Sequence, residues 1–325
     1  MKRFICILLS VLMLSAALSL TGCKKKDLRF GMGVYANVSE VTSAEADKDG
    51  QGKIDVTVAV LTVDKKGKVV ACQLDMAENT VKYSAQGKAI SNDGFKTKYE
   101  QGNDYNMAAY GGAAKEWFEQ ADAFEGVVVG KTLDEIKAMV ADGGKGTDEV
   151  INAGCTIAIG DFVSAIERAF EGLSESDATS EDTLELGINT EQTVTDATAD
   201  KDGSNEVATT IFAAAVDADG KVIVAESDCV QVAFTFDSKG NTTFDATKPV
   251  VTKRQAGADY GMVAYGGAAK EWFGQADAFD ALCVGKTADE IVALCGADGY
   301  GTEEVKSAGC TITVNGFTKA AAKIG

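Results

Sequence analysis

The twelve residues MAAYGGAAKEWF, 107–118, return as MVAYGGAAKEWF at 262–273. Eleven of the twelve are identical, and only Ala108 changes, to Val263. The offset of 155 holds without a gap from 103–162 to 258–317. Upstream, Ala46-Asp-Lys-Asp-Gly50 matches Ala199-Asp-Lys-Asp-Gly203 at an offset of 153, so two residues were gained or lost between the blocks. A block that recurs at a fixed offset marks a duplicated structural unit. The pattern predicts two units, 31–170 and 186–325, each of ordinary domain size. Between them lies EGLSESDATSEDTLE, 171–185, which is acidic, rich in Ser and Thr, and free of aromatics, and reads as a solvated linker.

Each unit divides into a strand-like front and a helix-like back. Ile54-Asp-Val-Thr-Val-Ala-Val60 alternates apolar with small or polar residues, the period of a half-buried strand. Asp64-Lys-Lys-Gly67 turns it, and Lys68–Cys72 leads back, a hairpin signal. Ala208–Val216, Asp217–Gly220 and Lys221–Ala225 repeat the plan. Downstream, Trp117, Ala121 and Phe124 share one helical face, predicting a helix over Ala113–Phe124. Thr132-Leu-Asp-Glu135 and Thr287-Ala-Asp-Glu290 have capping-box spacing. A short turn over Asp148–Asn152 is expected to stop at Gly154, an extended piece to follow over Cys155–Ile159, and a helix to close the unit over Asp161–Phe170. The fold class is therefore α+β, with two tandem copies of a small antiparallel sheet packed with helices.

The first residues have another purpose. Met1-Lys2-Arg3 is basic, and Phe4–Leu20 is apolar apart from three Ser, a length suited to a signal peptide and short for a membrane span. Leu20-Thr21-Gly22-Cys23 resembles the lipobox of bacterial lipoproteins. That resemblance implies a signal peptide over 1–22, lipid attachment at Cys23, a tether over 23–30, and an extracytoplasmic protein anchored to the cell membrane.

Composition narrows the chemistry. The chain has no His, which excludes Ser-His-Asp and Cys-His catalysis and His-ligated metals. Its net charge of −18 argues against nucleic acid as a partner. Of 8 Cys, Cys6 falls in the signal and Cys23 at the lipobox. Cys72, Cys155, Cys229, Cys283, Cys295 and Cys310 remain, with no Cys-x-x-Cys pair among them.

The stretch NAGCTIAIGDF, 152–162, returns as SAGCTITVNGF, 307–317. Either the thiol or the hydroxyl of the shared Ala-Gly-Cys-Thr-Ile carries chemistry, or neither does. No basic cluster beside Cys155 or Cys310 marks an activated thiolate, and a small buried hydrophobe is the plain reading of both. Ala153-Gly154-Cys155-Thr156-Ile157 and Ala308-Gly309-Cys310-Thr311-Ile312 resemble the flavinylation motif of the FMN-binding domain family, with Cys in place of the usual Ala before Thr. The Asp-Gly-Lys-Val turn of the second copy and the Lys-Glu-Trp-Phe … Val-Gly-Lys-Thr run of both also resemble two-domain flavin lipoproteins of Gram-positive bacteria.

The resemblance implies two FMN groups held covalently through phosphoesters to Thr156 and Thr311, installed by a flavin transferase that uses FAD. It implies an electron carrier fed by a membrane quinone or reductase and discharging to an extracellular acceptor. Gly154 and Gly309 would give the phosphate room, with Cys155 and Cys310 beside them. Gly111-Gly112 and Gly266-Gly267, read as preceding a helix, would offer backbone N–H groups. Lys115 and Lys270 would add charge. Met107, Tyr110, Met262 and Tyr265 would line the ring.

Plain structural readings stand beside these. Gly-Gly-Ala-Ala suits close packing of a helix, Lys115 a solvated surface, and Trp117 and Trp272 the core. Two other functions stay open: a cofactor-free solute-binding or surface-interaction lipoprotein, and a thiol-redox protein using Cys155 and Cys310.

Overall fold

A computed structural model describes residues 28–325. The lipobox cysteine, Cys23, and the signal segment lie outside the described residues. The fold is α+β, with the expected antiparallel sheet packed with helices in each repeat.

Repeat 1 opens with β1 (Arg29–Thr42), β2 (Gly50–Val63), β3 (Val69–Tyr83) and the short β4 (Ala89–Ile90). The helices α1 (Lys98–Gln101), α2 (Met107–Gly111), α3 (Trp117–Val128), α4 (Leu133–Lys137), α5 (Asp148–Ala153) and α6 (Gly160–Glu171) follow. A two-residue strand, β5 (Ser174–Glu175), leads to repeat 2, with β6 (Thr183–Thr195), β7 (Gly203–Val216) and β8 (Val222–Phe236). Its helices are α7 (Lys253–Ala256), α8 (Trp272–Cys283), α9 (Ala288–Val292), α10 (Glu303–Ala308) and α11 (Asn315–Ala321). The sheet orders are β4-β3-β2-β1-β5 and β6-β7-β8.

The alternation along β2 explains how the layers stack. Ile54, Val56, Val58 and Val60 enter a core shared with Ile188, Val207, Ile211 and Phe234 of repeat 2. Ala59, Leu61 and Val63 point the other way, to Trp117, Phe124, Phe162 and Ile166 on the helices. Both faces of the strand's second half are buried, which is why Val56–Val63 is so apolar a run. Phe212, Ala214 and Val216 of β7 meet Trp272, Phe279 and Phe317 in the same way. The molecule is therefore a sandwich of two sheets with a helical layer outside each.

The repeats join by reciprocal contacts. Ala44 N donates to Gly240 O at 2.8 Å, and its counterpart Ala197 N donates to Gly87 O at 2.8 Å. Each residue of one bond is 153 positions from its equivalent in the other, the signature of a two-fold interface. Asn79 Nδ2 to Thr209 Oγ1 at 2.9 Å adds a buried cross-sheet bond. Glycine sets the helix–sheet spacing: a Cβ built on Gly33 or Gly187 would collide with the backbone carbonyl of Ala165 on α6 or Ala320 on α11.

Several expectations need correction. The tether does not extend to residue 30: Leu28 and Phe30 are buried, and β1 begins at Arg29. The segment 171–185 is not a free linker. Phe30 and Arg29 pair with Ser174 and Glu175, Ala178 sits in the shared core, and Thr183–Glu185 starts β6. A common core holds the repeats together, so the second cannot swing on that segment. The helix expected from Ala113 starts at Trp117, because Glu116 caps it reciprocally with Glu119. The hairpin turns, both capping boxes and the closing helix of repeat 1 fall where the sequence placed them.

Candidate functional site

The site begins where a short helix stops. Glycine 154 ends α5 with φ 109°, and Gly309 ends α10 with φ 100°. This is left-handed backbone that only glycine adopts freely. The chain then reverses: Cys155 N returns to Val150 O at 3.2 Å and its side chain turns inward, fully buried. Threonine 156, the next residue, is left exposed, and Thr311 matches it.

Each threonine is tied to a buried glutamine. Gln120 Oε1 accepts from Thr156 N at 2.8 Å and from Thr156 Oγ1 at 2.9 Å. Gln275 Oε1 does the same for Thr311, at 2.8 and 2.9 Å. The glutamine amide is fixed from its other end: Gln120 Nε2 donates to Lys115 O at 3.0 Å and approaches Met107 Sδ at 3.4 Å. Gln275 Nε2 donates to Lys270 O at 3.1 Å. With both glutamine ends committed, each hydroxyl is held in one orientation on a residue that stays exposed.

A cation stands beside each threonine turn. A Cβ on Gly154 would collide with the Lys115 ammonium, and one on Gly309 with that of Lys270. Glycine is needed there both for its φ and for the space the lysine fills. The arrangement also sets the thiols apart. Burial pushes the Cys155 thiol up to about 11, against smaller lowering effects from the Ile157 backbone and Lys115. Burial does the same to Cys310, also to about 11. Both are protonated, inert side chains at neutral pH, and the six described cysteines are all free.

A second carboxylate shapes the neighbouring loop. Glu116 Oε2 accepts from Met107 N at 2.8 Å and Oε1 from Ala108 N at 3.1 Å. Glu271 holds Met262 N at 2.9 Å and Val263 N at 3.2 Å. This places Met107 against Gln120. Two of the four donors expected from the paired glycines are used elsewhere. Gly112 is the C-cap of α2, with φ 70° and its N–H donated to Met107 O. Gly266 N donates to Gly261 O at 3.3 Å. These two donors are spent on their own turns, and Gly112 also stands at a helix C-terminus, which repels anions. Tyr110 and Tyr265 are 88% and 92% exposed, so neither is packed against its threonine.

In repeat 2 the threonine opens on a cleft of about 560 Å³ lined by Thr311, Met262, Tyr260, Trp272, Lys253 and Thr210. That is within the usual range for sites holding ligands of cofactor size. Trp272 is both core and wall: it meets Phe317 edge-on at 5.7 Å, and an edge reaches the cleft. Trp117 meets Phe162 likewise at 5.7 Å.

Sequence reasoning missed Gln120 and Gln275, Glu116 and Glu271, and Lys253. A signal existed for the glutamines. Each is a long amide set between Trp and Ala on the buried face of a helix, where an apolar residue is expected.

A Thr hydroxyl on a glycine turn with an adjacent ammonium can carry a phosphoester, and a 560 Å³ cleft with aromatic and thioether walls fits a planar ring. The residues present thus fit the group that the sequence motif implies. Among the described residues no helix is long and apolar enough to cross a membrane. No protein-family model matches the chain, and no solved structure matches it. Over 125 residues it is 31% identical to a protein described as chlorophenol reductase from Desulfitobacterium hafniense, a match covering 34% of this chain and 37% of that one.

Proposed function

We propose that this protein is a lipid-anchored, extracytoplasmic electron carrier bearing FMN as a phosphoester on Thr156 and on Thr311. One observation carries the reading. Both repeats present an exposed Thr hydroxyl, fixed by a buried Gln and flanked by a left-handed Gly and a Lys ammonium, at matching positions. A surface threonine has no structural need for that set, and its occurrence twice argues for shared chemistry.

Loading needs a transferase and FAD. The threonine oxygen bonds to the flavin-side phosphorus, the phosphoanhydride breaks, AMP leaves, and the hydroxyl proton passes to solvent. Gln120 and Gln275 aim the hydroxyl; after loading, each retains its bond to the threonine N–H and so keeps the turn in place. Lys115 and Lys270 oppose the single negative charge of the phosphoester. The bound flavin supplies the reversible redox chemistry that these side chains lack. Covalent attachment keeps the cofactor with a protein outside the cell, where a diffusible one would be lost. Cys23 would secure the chain to the membrane, near a quinone or reductase as donor, with an extracellular acceptor beyond. The chlorophenol reductase match spans too little of either chain to bring a substrate with it.

The test is direct. Protein purified after co-expression with a flavin transferase should be yellow, keep flavin fluorescence after denaturation, and weigh two FMN additions more than the apo chain. Thr156→Ala and Thr311→Ala should each remove one addition, and Cys155→Ala none. Colourless protein from that preparation overturns the proposal.

A further inference from the structure

We infer that the two sites are unequal, and that an electron shared between them rests on repeat 2. This rests on the flavin reading above, and it follows from charges that differ at equivalent positions.

The lysines Lys98 and Lys253 occupy the same place, 155 residues apart. Lys98 Nζ lies 4.9 Å from the Tyr105 ring centroid and 5.8 Å from that of Trp117. Lys253 Nζ lies 5.2 Å from Tyr260 and 5.6 Å from Trp272. Their partners differ. Lys98 is paired with Glu78 Oε2 at 3.2 Å, and Glu78 Oε1 also binds Lys53 at 2.9 Å. Repeat 2 has Gln231 where repeat 1 has Glu78, and Lys253 has no ion-pair partner among the described residues. The free ammonium lines the same cleft as Thr311.

Two further positions act in the same direction. Asp55 and Asp161 of repeat 1, both close enough to Lys98 to feel its charge, are Ala208 and Gly316 in repeat 2. At Gly316 a Cβ would come within 2.6 Å of Thr210 Oγ1, so an alanine in this wall of the cleft would force the Thr210 side chain to shift. Repeat 2 has acids of its own, each already engaged. Glu191 accepts from Lys319 at 2.6 Å and from Asn315 at 2.9 Å, and Glu206 accepts from Gln231 at 2.8 Å. Counting these groups, repeat 1 carries Asp55, Glu78 and Asp161 against Lys53, Lys98 and Lys145, the last standing where Tyr300 lines the repeat 2 cleft, while repeat 2 carries Glu191 and Glu206 against Lys253 and Lys319. The formal charges balance in both repeats; what differs is pairing, because Glu78 holds Lys98 while Lys253 stands unpaired among the described residues.

Reduction adds negative charge to the site. A nearby unpaired ammonium in a partly desolvated cleft favours the reduced state, and one already neutralised by a carboxylate does so less. Repeat 2 is therefore the stronger oxidant. Electrons leave repeat 1, which is oxidised, and reduce repeat 2; accompanying protons exchange with solvent.

The experiment is a spectroelectrochemical titration of the two single-flavin proteins, Thr156→Ala (loaded at repeat 2) and Thr311→Ala (loaded at repeat 1). Thr156→Ala should titrate at the more positive midpoint. Adding Glu78→Gln to Thr311→Ala should raise that protein's midpoint, and adding Lys253→Gln to Thr156→Ala should lower the other. Equal midpoints, a reversed order, or charge variants without effect would overturn the inference while leaving the flavin reading intact. Failure to retain flavin at all, visible before any titration, would overturn both.

Discussion

The rings of Tyr83 and Phe236 stack at 4.4 Å with 10° between their planes. They are the same position in the two repeats, 153 residues apart, so a residue meets its own counterpart across the sandwich. Both are fully buried, and Tyr83 Oη donates to Thr42 O at 2.8 Å. Phe236→Ala should cost about 3–5 kcal/mol, the usual loss for a buried aromatic. Because the core is shared, both repeats should unfold together. Urea denaturation of Trp117→Phe and Trp272→Phe proteins, each reporting one repeat by its remaining Trp, should give coincident transitions. Two separate midpoints would show that the repeats stand alone.

The glutamine clamp gives a second prediction. Gln120→Met keeps the volume but removes the acceptor for Thr156, at a stability cost of about 1–3 kcal/mol. Loading at Thr156 should drop at least tenfold while Thr311 loads normally, as read by peptide mass. Full loading at both sites would rule out a positioning role for the amide.

Gly154 offers a third. Gly154→Ala forces a Cβ into left-handed backbone and against Lys115, and should cost about 1–3 kcal/mol. Gly67→Ala, at φ 77° with open space around it, isolates the backbone part. The excess at Gly154 should shrink when Lys115→Ala is added, a coupling that thermal melts of the four proteins would measure.

Equivalent carboxylates, both pushed up by burial, should differ in what their removal costs, because only Asp280 has an arginine beside it. Burial pushes Glu125 up to about 8, with Asp122 and Asp75 adding to it and the Leu74 N–H opposing, and burial pushes Asp75 up to about 6. Both folded values exceed the unfolded ones, so this contribution to stability is complete below about pH 4 and is lost as pH rises through about 6 to 8. Glu125→Gln should flatten the fall in melting temperature between pH 5 and pH 9. At the equivalent position in repeat 2, Asp280 meets Arg254 Nη2 at 2.8 Å, where repeat 1 has Tyr99 in place of the arginine. Asp280→Asn removes one of three carboxylates around the half-buried Arg254, which keeps Asp277 and Glu226, and should destabilise by about 1–3 kcal/mol. Equal responses at the two positions would contradict this account.

What the sequence revealed was local. The hairpins, capping boxes and closing helix follow from period and spacing within a dozen residues, and the structure places them accordingly. The duplication, legible from offsets alone, set the repeat of every element. What escaped notice depends on contacts distant in sequence. β1 was split between a tether and an unassigned stretch, because its apolar residues gain a partner only from β2 and from repeat 2. The segment 171–185 reads as a linker because its few apolar residues, such as Ala178, are small; their burial comes from the other repeat. At the site, the threonine and glycine were legible as a motif. Gln120 was not, because one polar residue on a helix face gives no hint of what it holds 36 positions away. Tyr110 and Tyr265 drew attention as aromatics and proved to be the most exposed large hydrophobic residues among those described.

The reciprocal bonds of Ala44 to Gly240 and Ala197 to Gly87 have a historical consequence. An interface that pairs each residue with the other copy's equivalent is one that two separate single-repeat chains can form. In such a homodimer every mutation strikes both halves at once, and the sites stay identical. Fusing the halves into one gene breaks that bond: Glu78 can remain in one half while Gln231 appears in the other. The fused chain keeps the ancestral pairing for its strength and gains the freedom to make its two ends different.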